Sequence, residues 1–463
     1  MMKIVVCVKV VKGEINPFDE CALECALKIK DARITVLSMG AEPAKPALDR
    51  ISRLAVDRII LLSDRRLAGS DTLATSYALS QVIKQINPEL VLCGRQSIDG
   101  DTAQVGPCLS ELLGYNLITN IMEMEIDKKI CCKTRMGYEQ TDFPAVLTVE
   151  RINTLRFPRI GSNIKNVEII SADDAEIDTS KCGLSGSPTK VLKSFESRRG
   201  TRKCQFITPD KLDWCITEAL KKVHEEIKPQ TAGQKLETIT VIGDELAEAA
   251  RELARNVRVI QSRDYIEIAE LVKNDDVVLW SADLWGRKNA PRTAAILKTG
   301  LCADCTALET DGEKLFMYRP AFGGTLTAKI ECKTRPQMAT VRTENVDKSD
   351  VVFGLGRGAV NNLEKYMSLA QKYNADIAAS RAFVDMGLAD YDRQVGLTGK
   401  IIAPKVYVAC GISGAVQHTC GFENAGTVIA INPDKNARIF DFADFGIVTD
   451  DIFLPKSGRI TLG

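Results

Sequence analysis

Short apolar runs recur through the first 170 or so residues, separated by stretches in which apolar side chains return every three or four positions. The runs predict strands over residues 4–10, 34–38, 58–62 and 90–93, and the amphipathic stretches predict helices over 17–30, 44–53 and 71–85. Strands alternating with helices imply a parallel α/β sheet that presents ligands at its carboxyl edge. Residues 128–135 and 145–149 read as antiparallel strands. The polar stretch 171–203 has the composition of a linker or arm. A second α/β unit follows, with strands over 238–242, 257–260 and 277–280 and a strand-rich segment over 315–341. Charged residues at 346–349 mark a further boundary, and a third unit opens with a strand over 351–354. The predicted fold is α/β in three domains, 1–195 with a carboxyl-terminal arm, 196–345 and 346–463. The first two read as parallel-sheet, nucleotide-binding-like domains and the third as doubly wound.

Composition narrows the function classes. With 463 residues, 45% hydrophobic and 26% charged, the chain reads as a globular protein of several domains. Lys+Arg and Asp+Glu each number 61, so no net charge directs it to nucleic acid or an anionic membrane. No apolar run approaches the roughly 20 residues needed to span a bilayer. The amino end, MMKIVVCVKVVKGE, enters a strand pattern without a small-residue cleavage site, so the expected location is cytoplasmic. Most of the fifteen cysteines are scattered singly, as Cys7, Cys93 and Cys410 are in apolar runs, and read as unpaired buried thiols, while Cys131-Cys132 sits in a charged, hairpin-like stretch without partner spacing. Cys302 and Cys305 form a CxxC without a second ligand pair, and no metal site is expected. His224 and His418 are the only histidines, which argues against most triad hydrolases.

Candidate chemistry concentrates in polar turns. In the third unit, VVFGLGRGAVNN, AASRAFVD, QVGLTG and GISGAVQH each open from a strand. Any one of them is explained by glycine serving a tight turn, but four in one unit point to a shared ligand. Arg357 sits within the first turn, where its fixed cation suits a diphosphate or an electron-rich ring. In the first unit, CGRQSIDGDTAQVG runs from a strand into a helix. Backbone N–H groups and Thr102 at that helix start suit a phosphate, and simple capping by Asp101 or Thr102 is the alternative.

These motifs resemble the electron-transfer flavoprotein family. The segment KVYVACGISGAVQHTCGFENAGTVIAIN, with GRG, ASRA-VD, QVG-TG and FGIV-D around it, resembles the FAD domain of the alpha subunit. WGRKNAPR, TGLCADCT, RPAFGG and RPQMATVR look like that subunit's first domain. VKVV, INPFDECALECAL, CGRQSIDGDTAQVGP and FPAVLTVE resemble the beta subunit. The chain therefore resembles a fusion of the two subunits, beta-like part first. That resemblance implies an FAD held by Arg357, Ser380, Arg381, Gln394, Val395, Gly396, Leu397, Thr398, Ser413, Gly414, Ala415, Val416, Gln417, His418, Asn432 and Asp450. His418 and Arg381 are the candidates for tuning the flavin as positive or hydrogen-bonding groups near its pyrimidine end, with Thr398 directed toward N5.

The family also implies a second nucleotide in the beta-like part, AMP in ordinary members and FAD in electron-bifurcating ones. Cys7, Asn16, Phe18, Asp19, Asp71, Thr72, Thr75, Asp101, Thr102, Gln104, Val105 and Gly106 are its implied contacts. DGDTAQVGP, GSDTLAT and GLSGSPTKV resemble the bifurcating kind, which favours FAD. Only about six residues separate VK from NPFD, where many bifurcating members carry a long hairpin, so NADH as a substrate stays open. Residues 155–163, LRFPRIGSN, lie where the beta subunit carries the loop that docks on a dehydrogenase, which makes Leu155 and Ile160 candidate docking residues. The implied function is electron carriage through FAD, between partners such as an acyl-CoA dehydrogenase-like flavoprotein or an iron–sulfur protein. An NADH-oxidising bifurcating oxidoreductase and a flavin-free adenine-nucleotide sensor are the alternatives. Beta-like and alpha-like parts are expected to pair within the chain, with a homodimer left open.

Overall fold

The computed structural model describes residues 1–196, 202–221, 234–322, 326–342, 349–396, 399–400, 402–423 and 425–450. The chain folds into two compact units, which between them hold three α/β sheets built mainly of parallel strands.

The larger unit begins with a nine-stranded sheet. Its middle strands, in spatial order, are Arg58–Leu62, Ala32–Met39, Met2–Cys7, Leu90–Gly94, Ala145–Val149 and Asn116–Ile126, all parallel. Alternate side chains of each strand are buried on opposite faces. Ile4, Val6, Ile34, Val36, Leu90 and Leu92 pack with Cys21, Leu23 and Leu48. Val5, Leu37, Ile60, Val91 and Val146 pack with Leu79, Val82, Ile83 and Leu109. A strand buried on both faces must be apolar at nearly every position, which is why these runs were legible. Ala145–Val149 departs from expectation. It lies parallel between Leu90–Gly94 and Asn116–Ile126, and the antiparallel ribbon is instead Asn116–Ile126, Ile130–Thr134 and Gly137–Thr141.

The same arrangement then repeats. Ala254–Ile260, Leu236–Ile242, Val277–Ser281, Gln337–Val341 and Leu301–Cys305 form a parallel sheet in the order seen in the first half. A four-stranded sheet accompanies it, and one of its strands is Thr189–Glu196, the end of the polar arm. The arm is pinned at its root, where the Asp71 carboxylate accepts from Thr189 N at 2.9 Å and from Thr189 Oγ1 at 2.7 Å. The two halves pack through helices Val105–Leu113 and Leu284–Leu297.

The second unit is a six-stranded parallel sheet ordered Gln205–Phe206, Phe445–Val448, Thr427–Asn432, Val406–Cys410, Val351–Leu355, Asp376–Ala379. Residues expected to open the second domain belong here. Gln205–Phe206 pairs with this sheet, and helix Leu212–Lys221 buries Leu212, Cys215 and Ile216 in its core. Among the described residues no helix is long and apolar enough to cross a membrane.

Candidate cofactor sites

In the second unit the chain runs from Val351–Leu355 outward to Asp376–Ala379, then crosses back to Val406–Cys410 on the other side of the first strand. Connections leaving a parallel sheet in opposite directions open a crevice at the carboxyl ends of the two central strands. The GLGRG and CGISG turns meet there. Gly356 N donates to Cys410 O at 2.8 Å and Gly358 N to Gly411 O at 3.0 Å. A Cβ at Gly356 would overlap the Gly411 carbonyl, so glycine permits the approach. Arg357 is exposed at this edge and makes no hydrogen bond or ion pair with the described residues. Ser413, Ala415 and Gln417 are exposed beside it, whereas Gly414 and Asn432 are buried and Val416 is half-buried. Asn432 Nδ2 donates to Ile412 O at 2.9 Å and so braces the turn from behind. Gln394, Val395 and Gly396 are buried beneath it, and a Cβ at Gly396 would overlap the Gln417 carbonyl. This donor set fits FAD, with a free guanidinium for the diphosphate and close backbone for the ring.

Several implied contacts are engaged otherwise. Ser380 caps the short helix Arg381–Asp385, and Arg381 Nε lies 3.5 Å from Asp385 Oδ2. Asp450 is exposed, and its carbonyl accepts from Asn362 Nδ2 at 2.6 Å. Leu397 and Thr398 lie outside the described residues. His418 also meets protein atoms. It is buried, with Nδ1 3.0 Å from the Val395 carbonyl and Nε2 3.0 Å from the Tyr407 hydroxyl. A carbonyl only accepts, so Nδ1 carries the proton and Nε2 accepts from tyrosine. Burial lowers the imidazole pKa to about 4, against a smaller upward pull from Val395. In this structure both ring nitrogens meet protein atoms, and burial disfavours the charged form.

The first half of the larger unit has its own switch point, between Met2–Cys7 and Leu90–Gly94. Asp19 bridges it, accepting from Lys9 N at 2.7 Å and Gly94 N at 3.1 Å. Burial raises its pKa to about 7, opposed by those N–H groups, Asn16 and the Lys9 ammonium. Asn16 holds the outgoing loop, donating to Gln96 O at 2.9 Å and accepting from Ile98 N at 3.2 Å. Asp101 and Ala103 adopt left-handed backbone, with φ of 52° and 53°. The N–H groups of residues 102–106 then reach the start of helix Val105–Leu113 without a hydrogen bond to any described residue. Unsatisfied N–H groups at a helix start form an anion cradle. Gly106 lets this helix lie against its strand, because a Cβ there would overlap Thr148 Cγ2.

Other implied contacts act as supports. Gln104 is buried, accepting from Thr72 Oγ1 at 2.5 Å and donating to Leu301 O at 3.1 Å. Asp101 Oδ1 accepts from Gln96 Nε2 at 3.0 Å, and Asp71 caps helix Thr72–Ile86 while pinning the arm. Thr75 Oγ1 is 3.4 Å from Ser70 O, and Cys7 and Phe18 are buried. Thr102 and Val105 remain half-buried at the cradle itself.

Sequence reasoning missed the cations behind this loop. Arg319 donates to Gly100 O at 2.6 Å and to Ala303 O at 2.8 Å. Arg287 and Arg342 lie 2.9 and 3.4 Å from Asp304. Burial alone would raise the Asp304 carboxyl, but Arg287, Arg342 and Arg319 together hold it below the ordinary value. Three guanidiniums thus gather around one buried carboxylate, and one of them, Arg319, reaches the Gly100 carbonyl of the loop. The motifs WGRKN, RPAFGG and ATVRT carried these arginines, but nothing local showed that they converge.

Comparison with known proteins agrees with the duplicated architecture. The electron transfer flavoprotein domain matches twice, over residues 4–175 and 226–366, and the electron transfer flavoprotein FAD-binding domain matches residues 345–423. The chain belongs to the electron transfer flavoprotein family. It is 39% identical over 231 residues to electron transfer flavoprotein subunit alpha of Thermoanaerobacterium thermosaccharolyticum, covering 40% of this chain and 70% of the relative. It is 42% identical over 192 residues to subunit beta of the same organism, covering 38% and 74%. Protein FixB of Rhizobium meliloti is 40% identical over 233 residues, covering 40% and 66%. This electron transfer flavoprotein thus joins beta-like and alpha-like parts in one chain, and its carboxyl-terminal domain is of the FAD-binding kind.

In this flavoprotein the loop at 155–163 projects from the first half. Arg156 holds its base with backbone and guanidinium bonds to Glu24, the shortest 2.7 Å, and Cys21 Sγ lies 2.9 Å from Asn153 O. Beyond that anchor Phe157 is 95% and Ile160 105% exposed. Leu155 differs from expectation, because it packs against its own domain's core. Phe157 replaces it as the second outward apolar side chain.

Proposed function

We propose that this chain carries electrons between a dehydrogenase and a redox acceptor through FAD at the switch point of the carboxyl-terminal sheet. A second adenine nucleotide, FAD or AMP, sits on the cradle at 102–106. The observation that carries the reading is the junction of the two glycine turns beneath the free Arg357 guanidinium. FAD, when bound, supplies reversible one- and two-electron transfer. Arg357 neutralises its diphosphate, Ser413 and Gln417 orient it, and the 394–396 and 411–414 turns bring backbone close to it.

In the first half, the N–H groups of residues 102–106, unbonded among the described residues, support a phosphate. Flavin and AMP released per chain on denaturation test the reading. Two FAD support the bifurcating kind, and one FAD with one AMP supports the simple carrier. AMP without flavin would leave the adenine-nucleotide sensor and end the proposal. Reduction of the bound flavin by NADH distinguishes a bifurcating oxidoreductase from a carrier fed by its dehydrogenase.

Docking falls to Phe157 and Ile160, apolar and outward on a loop fixed at its base. A partner with an apolar pocket and an acidic rim fits them beside Arg159. Ile160→Ala weakens transfer to a flavoprotein dehydrogenase by about 1–3 kcal/mol of binding with flavin content intact. Wild-type transfer kinetics in that variant would remove the loop from the docking surface.

A further inference from the structure

The parallel sheet of the second half ends in an open edge where that of the first half is covered. In the first half, Ala32–Met39 pairs with Arg58–Leu62, which Val167–Ile170 flanks in turn. The strand in the same place in the second half is Ala254–Ile260, and among the described residues it pairs only with Leu236–Ile242. Gly243 N donates to Ile260 O at 2.9 Å, so Ile260 turns its peptide groups toward the sheet. Peptide groups alternate sides along a strand, and those of Arg255, Val257 and Val259 therefore point outward. A row of outward N–H and C=O groups is a template for another strand. Charged side chains often guard such an edge, but here they are turned back. Arg255 reaches Glu237 at 3.5 Å and Arg258 reaches Asp275 at 3.3 Å. Val259 is exposed beside them. Ile266 and Leu271 are exposed on the adjoining helix Tyr265–Val272, where the Leu271 carbonyl accepts from Arg258 at 3.2 Å.

We propose that Ala254–Ile260 pairs antiparallel with the same strand of a second copy of this chain, across a two-fold axis at Val257. About that axis Val257 lies opposite Val257 and Arg255 opposite Val259, so each outward peptide group of the three meets another. Asn256 then lies opposite Arg258, and no cation faces a cation. Moving the axis to Arg258 would set that arginine against its own copy, which like-charge repulsion disfavours. Moving it to Asn256 would leave Val259 opposite Leu253, which belongs to helix Ala247–Leu253 and not to the strand. A two-fold interface requires one patch to complement itself, and this strand does so in the one register. The pairing is independent of the cofactors proposed above.

The test measures the mass of the full chain by sedimentation velocity, from nanomolar to micromolar protein. The wild type is expected to reach the mass of two chains at the upper end. Val259→Pro removes an N–H that faces the partner and none that serves its own sheet. It should give one chain throughout, with the circular dichroism spectrum of the wild type. Asn256→Arg sets arginine opposite Arg258 on both sides of the axis and should raise the dimer dissociation constant about tenfold. Exchanging the two residues, Asn256→Arg with Arg258→Asn, restores the opposition and should return most of that loss. A wild type of one chain throughout would overturn the proposal, as would a dimer that survives Val259→Pro. An exchange that stays as weak as Asn256→Arg alone would overturn the register. Should Val259→Pro fold poorly, the arginine variants decide, and a dissociation constant unmoved by Asn256→Arg would refute the pairing.

Discussion

The two halves of the larger unit run five parallel strands in one order and then treat the end of the third strand differently. In the first half, residues 95–104 intervene between Leu90–Gly94 and helix Val105–Leu113. In the second, only residues 282–283 separate Val277–Ser281 from helix Leu284–Leu297. The short connection closes on itself. Asp283 accepts from Gly286 N at 2.6 Å, Trp285 stacks on Trp280, and the Arg263 guanidinium lies 4.9 Å over the Trp285 ring. The long connection has no such cap. Gln104 turns its amide away to Thr72 and Leu301, and the helix start keeps its N–H groups for another acceptor. The same contrast holds at the first strand's end, where Asp19 is buried across the switch point and Asp244 is exposed. One scaffold thus yields a closed element and an open anion site, decided by ten residues of loop rather than by the sheet.

The largest test of that contrast is the pH dependence assigned to Asp19. Its folded pKa, about 7, is above the ordinary 3.8, so the folded state holds this proton more tightly than the unfolded chain. Its contribution to stability is fully present below the ordinary value and is lost as pH rises through about 7. Three pKa units correspond to on the order of 4 kcal/mol. Chemical denaturation across that range should show this fall in the wild type and a flatter profile in Asp19→Asn, whereas Asp244→Asn leaves the wild-type slope. Equal slopes in wild type and Asp19→Asn would remove the distinction between the switch points.

Next in size is Arg319→Ala, which withdraws the buried donor from Gly100 and leaves the loop's outer turn unsupported. A loss of about 2–3 kcal/mol in stability is expected. The first-half nucleotide should leave while the carboxyl-terminal flavin stays, read by cofactor content per chain. Retention of both cofactors would mean that the second half does not support the cradle.

The smallest effect sharpens the closed side. Asp283→Ala removes a helix cap and costs about 1 kcal/mol in thermal or denaturant unfolding. Nucleotide content should not change. A nucleotide appearing on the uncapped helix would show that the cap alone, and not the loop length, separates the halves.

How far the chain could be read follows from where each signal resides. Residues 58–62 were bounded to the residue because Ile59, Ile60, Leu61 and Leu62 are all buried, which makes the run continuous. Asn116–Ile126 escaped because half-buried Asn120 and exposed Glu123 and Glu125 interrupt its apolar run. The direction of Ala145–Val149 is not a property of its five residues, since an apolar strand pairs either way. The turn over 99–106 was legible as a local pattern, whereas Arg287, Arg319 and Arg342 were not singled out, because they converge on Asp304 from separated segments.

Local chemistry determined that this chain would build repeated α/β sheets, that glycine turns would crown their carboxyl edges, and that these turns would resemble electron-transfer flavoproteins. Periodicity and turn residues act over a few positions, so they are written where they operate. Which polar groups remain available to a ligand was decided only in three dimensions. Gln104 and Asn16 belong to the cofactor motifs by sequence, yet each has its hydrogen bonds taken by protein atoms far along the chain. Arg357 does not. A buried donor or acceptor must find a partner as the chain folds, and the supply of partners depends on every element packed around it.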